Sequence, residues 1–519
     1  MTRKSDFSKQ QNVSRRELLG AGAMAGATLA FGAAAQAAPV PMPLPESWDE
    51  EVDVIVVGTG FAGLAAAYEA TQAGASVALL EKMRTPGGNS IINGGVFSAA
   101  GSPQQAAEGI TDSAEILYQD MLKAGLHLNH PDLARLTAEK SVETWQWTVD
   151  EIGAEWVEDL RHMGGHAVPR AYKTKMGTGA GVIVPLLAKL KDLGIEPRTR
   201  SLLKNLVRDA DGRVKGVVIH EKFKHPDMDS GTPKSIKANK AVILATGGFG
   251  NDLAFRRIQD PRLDSSVDTT NHPGATAEAM REGMNIGAFM VQPSWIQLGP
   301  WTSADEKGFG RSPYFVQSVT AAYGLWVNWE TGQRFVNEMA DRKTRADAII
   351  AEGNKVIAFC DAQGYEVAQR RLGDKMLDAL KTSGVVKEFA SLQDMAAEFG
   401  TPPDALQATI DRFNASVDAG EDADMGRYMQ KDQFKITDGA FYAVRLLPKV
   451  HHTMGGLAIN TRAEALDVNT LQPIPGLYVA GEAAGGVHGA SRLGSCAFLD
   501  CLVFGRIAGQ NAAAADSWS

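Results

Sequence analysis

The sequence predicts an α/β chain: a discontinuous Rossmann-like dinucleotide-binding domain, with a mixed α+β domain inserted as a cap. Three observations carry this expectation. A β-branched strand runs directly into a GxGxxG turn, a second strand ends in an acid at Glu81, and a strand leading into another glycine-rich turn returns near the C-terminus. At 519 residues and 44% apolar content the chain is too long for one core, so at least one further domain is required.

Residues 1–37 read as a twin-arginine signal peptide. SRRELL at 14–19 precedes the small-residue run GAGAMAGATLAFGAAAQA, which lacks the bulk of a membrane helix, and Ala35 to Ala37 (AQA) supply a cleavage site. The expectation is export to the periplasm by the twin-arginine machinery, with the cofactor inserted beforehand. Residues 38–49 are a linker, stiffened by PVPMPLP. The nucleotide domain then occupies 50–294 and 450–519. The capping, substrate-facing domain occupies 295–449, where the composition shifts to tryptophans, short strands and helical stretches such as SLQDMAAEFG. In the first part, EVDVIVV and VALLEK flank a helix to make a βαβ unit, and a hairpin turning at Asp211 and Gly212 leads towards the strand KAVILATGG.

A formal charge of −9 and no basic stripe argue against nucleic acid as a partner. The three cysteines, Cys360, Cys496 and Cys501, have no CxxC spacing, so no c-type haem attachment or zinc knuckle is expected, and no metal site is predicted.

Gly58, Gly60 and Gly63 form the GxGxxG motif, with Phe61 and Ala62 opening the helix. The first glycine allows the tight turn, the second lets backbone approach a pyrophosphate, and the third lets helix and strand pack closely. Glu81 sits where an acid holds a ribose hydroxyl. Lys82 and the stretch through Gly88 provide backbone and small polar groups beside it, and ATGG (with Thr246 and Gly247) and GLYVAGEAAGG (with Gly481) favour FAD over NAD.

RFVNEMADR, VHHTMGGLAI and AGEAAGGVHGASRLGSCAFLDCLVFGRIAG, in that order, resemble the flavoprotein family of soluble fumarate reductases, succinate dehydrogenase flavoproteins, urocanate reductases and ketosteroid dehydrogenases. The similarity spans about residues 50–515 and is greatest to the periplasmic fumarate reductase-like enoate reductases, the urocanate and methacrylate reductase type. The resemblance implies reduction of a C=C bond by hydride from flavin N5, with Arg342 as proton donor. It places His451 and Arg492 on a substrate carboxylate and His452 beside the flavin. It also assigns FAD contacts to Asn89, Ser90, Asn93, Gly94, Gly95, Glu278, Glu482, Ala497 and Phe498. The family's GDG stands here as Ala277, Glu278 and Ala279, and Cys496 stands where the family has asparagine.

The family's second carboxylate clamp is missing from this sequence. Gly299 replaces its histidine and Val316 and Gln317 replace its Thr-Glu pair, while Trp295, Trp301, Tyr314 and Phe315 occupy the same stretch. Trp295, Gly299, Trp301, Val316 and Gln317 are therefore expected to shape the substrate pocket. The resemblance then implies an exported reductase of an unsaturated monocarboxylate, fed by a separate c-type cytochrome or membrane quinol dehydrogenase. The family's relay glutamate and outer arginine fall on Gln317 and Thr320, so either water and neighbours such as Glu338, Asp341 or Arg345 resupply Arg342 with protons or the reaction runs differently. The alternatives are fumarate reductase proper, a dehydrogenase of the ketosteroid type, and a non-catalytic flavin electron carrier.

Overall fold

The computed structural model describes residues 44–437 and 439–518; the signal peptide expected at 1–37 lies outside them. Strand β1 (Glu50–Val57) leads through the glycine turn into helix α1 (Phe61–Gln72) and strand β2 (Val77–Leu80). Strands β3 (Ser201–Arg208), β4 (Val214–Glu221) and β5 (Thr232–Leu244) follow as an antiparallel meander. The middle of the chain contributes β6 (Leu325–Asn328), helix α2 (Arg342–Ala351), β7 (Val356–Asp361), β8 (Lys387–Phe389) and β9 (Phe441–Leu446). Strands β10 (Glu464–Leu466) and β11 (Pro473–Val479) and helix α3 (Cys496–Ala514) complete the described chain.

The larger sheet runs β10-β11-β5-β1-β2, with the β3–β4 hairpin attached to β5. Strands β2, β1, β5 and β11 are mutually parallel, in register at Val54 with Val77, Val54 with Ala241, and Leu477 with Val242. Burial on both faces explains why these strands read as continuous apolar runs instead of alternating ones. Helix α3 is rich in small residues because it lies directly on α1. A side-chain carbon at Gly505 would stand 2.5 Å from the Ala62 carbonyl oxygen, and one at Gly509 2.3 Å from that of Ala66.

The inserted segment carries its own antiparallel sheet, β6-β7-β9-β8, paired at Trp326 with Ala358 and at Phe359 with Ala443. Its buried apolar residues form cores separate from the one around the parallel sheet. A two-stranded ladder of Ile296–Gly299 with Lys449–Thr453 closes the insertion at its two ends. Among the described residues no helix is long and apolar enough to cross a membrane.

Candidate active site

The C-terminal ends of the parallel strands meet at one groove, where ligands of open α/β sheets bind. Gly58 follows β1, Glu81 follows β2, Ala245 to Gly247 follow β5 and Gly481 and Glu482 follow β11, and all of them line the groove. Gly58 has φ +108°, and a side chain there would stand 2.3 Å from the Ala245 carbonyl oxygen. Helix α1 begins there after Gly60; its Phe61 amide donates to Ser90 Oγ at 3.0 Å, and the amides that follow point at the groove, where a helix N-terminus favours an anion. Glu81 accepts hydrogen bonds from the Thr59 hydroxyl and the Met83 amide (2.8 Å), while Lys82 pairs with Glu278 at 3.1 Å.

Phe61, Ala62, Lys82, Gly88, Asn89, Ser90, Thr246, Gly247 and Glu278 line the same groove, and these donors, acids and close backbone approaches fit FAD. Two predicted contacts fall elsewhere. Gly63 packs α1 onto β1, since a side chain there would stand 1.9 Å from the Gly58 carbonyl oxygen, and Gly95 backs onto Thr174 and Thr178.

Phe61, Asn89, Ser90, Glu482 and Cys501 are shared between the groove and a cavity of about 1060 Å³, so the two are continuous. Asn93, Gly94, His452, Ala497 and Phe498 line the cavity near this junction, and the rings of Phe61 and Phe498 stack there, 3.7 Å between centroids. Arg342, His451 and Arg492 also line it.

His451 and His452 both face the cavity because the Ile296–Gly299 ladder has a β-bulge there. Val450 pairs with Leu298 and His452 with Gln297, leaving His451 as the extra residue. In a regular strand two neighbours would point to opposite faces. Thr270 Oγ1 lies 2.8 Å from His451 Nδ1 and 3.3 Å from the Val450 carbonyl oxygen. With the hydroxyl donating to Nδ1, Nε2 carries the N–H of the neutral ring and faces the cavity as a donor. Burial, followed by the charges of Arg342 and Arg492, holds His451 well below its usual pKa. His452 stands 3.4 Å from Glu482, whose carboxylate also accepts the Thr453 amide at 2.9 Å.

Arg342 opens helix α2, capped by Asp341, which accepts the amides of Lys343 and Thr344. Arg342 and Arg492 are both buried, and the described residues leave Arg342 Nη1 and Arg492 Nε without a hydrogen-bond partner. Burial and then the Arg492 and Arg345 charges push Arg342 well below the ordinary arginine range, and burial brings Arg492 down to about 10. A cationic helix residue in the first turn, at the positive end of the dipole, adds to this. Uncompensated guanidinium groups facing a cavity call for an anion. Gln297 holds the Arg492 segment, donating to Ser491 Oγ (2.7 Å) and the Arg492 carbonyl (2.9 Å).

The predicted pocket residues divide. Trp301 and Gln317 line the cavity, Gln317 from a π-helical turn at Val316–Thr320, a geometry frequent at functional sites. Trp295, Gly299 and Val316 do not line it. Val316 is fully buried in the cap core, Trp295 is half-buried in the chain before the ladder, and Gly299 is covered by the Trp301 indole. Phe315 also belongs to the cap core.

The expected proton sources are largely committed elsewhere. Glu338 is fully buried and held by Arg334 (2.9 and 2.7 Å) and the Trp326 amide, with Arg427 at 3.5 Å, so it does not pair with Arg342. Asp341 is the helix cap. Arg345 alone of the three lines the cavity, where burial lowers it to about 10. Cys496 lies outside the cavity lining, its thiol kept protonated by a burial-raised pKa of about 11.

Thr270, Gln297 and the bulge at His451 had no sequence signal of their own, because each acts through a contact between distant segments. The same holds for Arg161 and Lys173, which also line the cavity.

The profile of the FAD binding domain family matches residues 53–498. The acrylate reductase flavoprotein subunit of Shewanella woodyi is 41% identical over 509 residues, covering 97% of this chain and 99% of that one. The urocanate reductase of Eggerthella lenta is 34% identical over 481 residues, covering 90% and 76%. A flavocytochrome c3 fumarate reductase solved in an open conformation superposes with a TM-score of 0.70 at 33% identity, over 90% of this chain and 79% of that one.

Proposed function

This chain belongs to the FAD binding domain family and is an FAD-dependent oxidoreductase; from that premise we propose that it reduces the C=C bond of an unsaturated monocarboxylate. The observation that carries the proposal is the pair of buried, incompletely bonded guanidinium groups, Arg342 and Arg492, beside His451 in a cavity continuous with the FAD groove.

Arg492 and the Nε2–H of His451 hold the substrate carboxylate, drawing electron density from the conjugated alkene. The FAD, when bound and reduced by the external electron donor, would supply the hydride. Arg342 delivers the proton to the carbon next to the carboxylate, its acidity raised by burial and by its cationic neighbours. Water entering the open cavity, with Arg345 beside it, returns a proton to Arg342. Trp301 closes the side on which a second carboxylate would need a partner, so a monoacid fits better than a diacid. The relatives that reduce acrylate and urocanate support this reading.

The enzyme works in the periplasm after twin-arginine export and takes electrons from a separate c-type cytochrome or membrane quinol dehydrogenase. In this arrangement 50–294 and 450–519 act as the flavin domain and 295–449 as the cap.

Steady-state reduction of acrylate with a reduced dye tests the carboxylate clamp. Arg492→Lys should lose at least about 100-fold in kcat/KM and Arg492→Met more, because a lysine cannot give two parallel hydrogen bonds to a carboxylate. Near-normal rates in both variants would point to a reaction without a carboxylate clamp.

A further inference from the structure

Arg161 and Lys173 line the cavity that holds Arg492 and His451 and lie nearer solvent than the buried Arg492. Both are half-buried, and among the described residues neither side chain has a hydrogen bond or ion pair. The Arg161 backbone pairs with Ala171 (2.9 and 3.2 Å), two residues before Lys173; the Arg161 charge, after burial, lowers Lys173 to about 8, and on Arg161 burial and the Arg371 charge outweigh the opposing Asp159 charge. Arg371 is itself exposed and bonded to the Ser318 carbonyl (2.6 Å) and the Tyr323 hydroxyl (3.2 Å). Arg161, Lys173 and Arg371 line one cavity with the exposed Asp159 as the acid acting on Arg161, and an anion entering there relieves the repulsion that remains.

Their position relative to the inner clamp is defined by aromatic contacts. Lys173 Nζ lies 5.7 Å from the Tyr314 ring centre, Tyr314 is 5.8 Å from Phe309, and Phe309 is 6.5 Å from His451. The contact path from Lys173 to His451 runs through two rings, Tyr314 and Phe309. Glu108, Asp159 and Asp432 also line the cavity and are exposed, and Asp432 accepts the Tyr323 hydroxyl at 2.8 Å.

We propose that Arg161 and Lys173 form an outer carboxylate station, which captures the incoming unsaturated acid at the cavity mouth before it passes along Tyr314 and Phe309 to Arg492 and His451. The proposal rests on the enoate-reductase reading above and adds a site to it. A station of this kind raises the rate of productive encounter and acts through KM, with an effect that salt screens.

The test uses the FAD-loaded enzyme and the variants Arg161→Gln, Lys173→Gln, the double variant, Lys173→Arg, and Lys355→Gln as a control for net charge away from the cavity. Acrylate reduction is measured from low salt to about 0.5 M, where the Debye length shrinks to a few ångströms. The double variant should lose about five-fold in kcat/KM at low salt, in KM, and the gap should close at high salt; Lys173→Arg should behave as wild type. Stopped-flow association of propionate, followed by flavin absorbance, should slow by the same factor.

Loss equal to that of Lys355→Gln, or loss independent of salt, overturns the station. A loss confined to fumarate, with acrylate unaffected, also overturns it by making the pair a second clamp for one diacid. If wild type reduces no unsaturated acid, the functional reading fails, and the propionate on-rate still decides the outer station.

Discussion

An ideal side-chain carbon on Gly299 would stand 3.1 Å from two ring carbons of Trp301, so the indole occupies the space that a larger residue at 299 would need. The Trp301 ring is almost fully buried and meets His451 edge-on at 4.7 Å. It thereby walls the cavity beside His451.

Trp301→Ala should open that side. Turnover of bulkier acids such as cinnamate should rise relative to acrylate, while thermal stability drops by about 3 kcal/mol from the cavity left in the cap core. The kcat/KM ratio for the two acids is the readout, and an unchanged ratio would show that Trp301 does not set substrate size.

Much of this site is legible in the sequence because its parts are local. The strand, glycine turn and acid of the βαβ unit lie within residues 50–81, and each keeps its place at the end of a parallel strand. Arg342, His451 and Arg492 sit in continuous blocks, and the structure brings all three to one cavity. What the sequence hides is geometry made by pairing. The family resemblance puts Gly299 and Val316 in the pocket, yet the Trp301 indole covers the one and cap packing buries the other. The bulge that turns His451 beside His452 arises from register with Ile296–Gly299, which no single segment encodes.

Arg342→Lys should retain FAD absorbance but lose about 100-fold or more in kcat, the scale of a positioned general acid. The loss should appear in kcat more than in KM, because Arg492 and His451 still hold the acid. A variant that keeps its kcat would remove Arg342 from the proton step.

Thr270→Val removes the hydroxyl 2.8 Å from His451 Nδ1 and with it the bias towards the Nε2–H ring. A loss of about 10-fold in kcat/KM is expected, near the value of one hydrogen bond to a charged partner. Thr270→Ser should recover most of it; equal loss in both variants would indicate packing instead of ring orientation.

Stability should fall on acidification. His166 and His451 both have folded pKa values well below 6.5, from burial first and neighbouring arginines next. His166 Nδ1 faces Arg170 Nη1 at 3.1 Å, and its Nε2–H donates to the Gly494 carbonyl at 2.8 Å, so a second ring proton has no acceptor there. Below about pH 6.5 the unfolded chain binds protons that the folded chain refuses, so stability is lost as pH falls from 7 towards the folded values, by up to about 1.4 kcal/mol per pH unit for each ring. Melting temperatures from pH 8 to 5 should show a shallower acid slope in His451→Gln than in wild type. Parallel slopes would mean that the ring protonates freely in the folded state.

The central claim is a single carboxylate clamp beside the flavin, with an aromatic wall where a second would stand. Measuring kcat/KM for acrylate and fumarate side by side, with the same reduced dye and FAD-loaded enzyme, tests it most directly. Acrylate should be preferred by at least about 100-fold, the discrimination of one diacid carboxylate left without partners in a closed pocket; equal efficiency with fumarate would contradict the account.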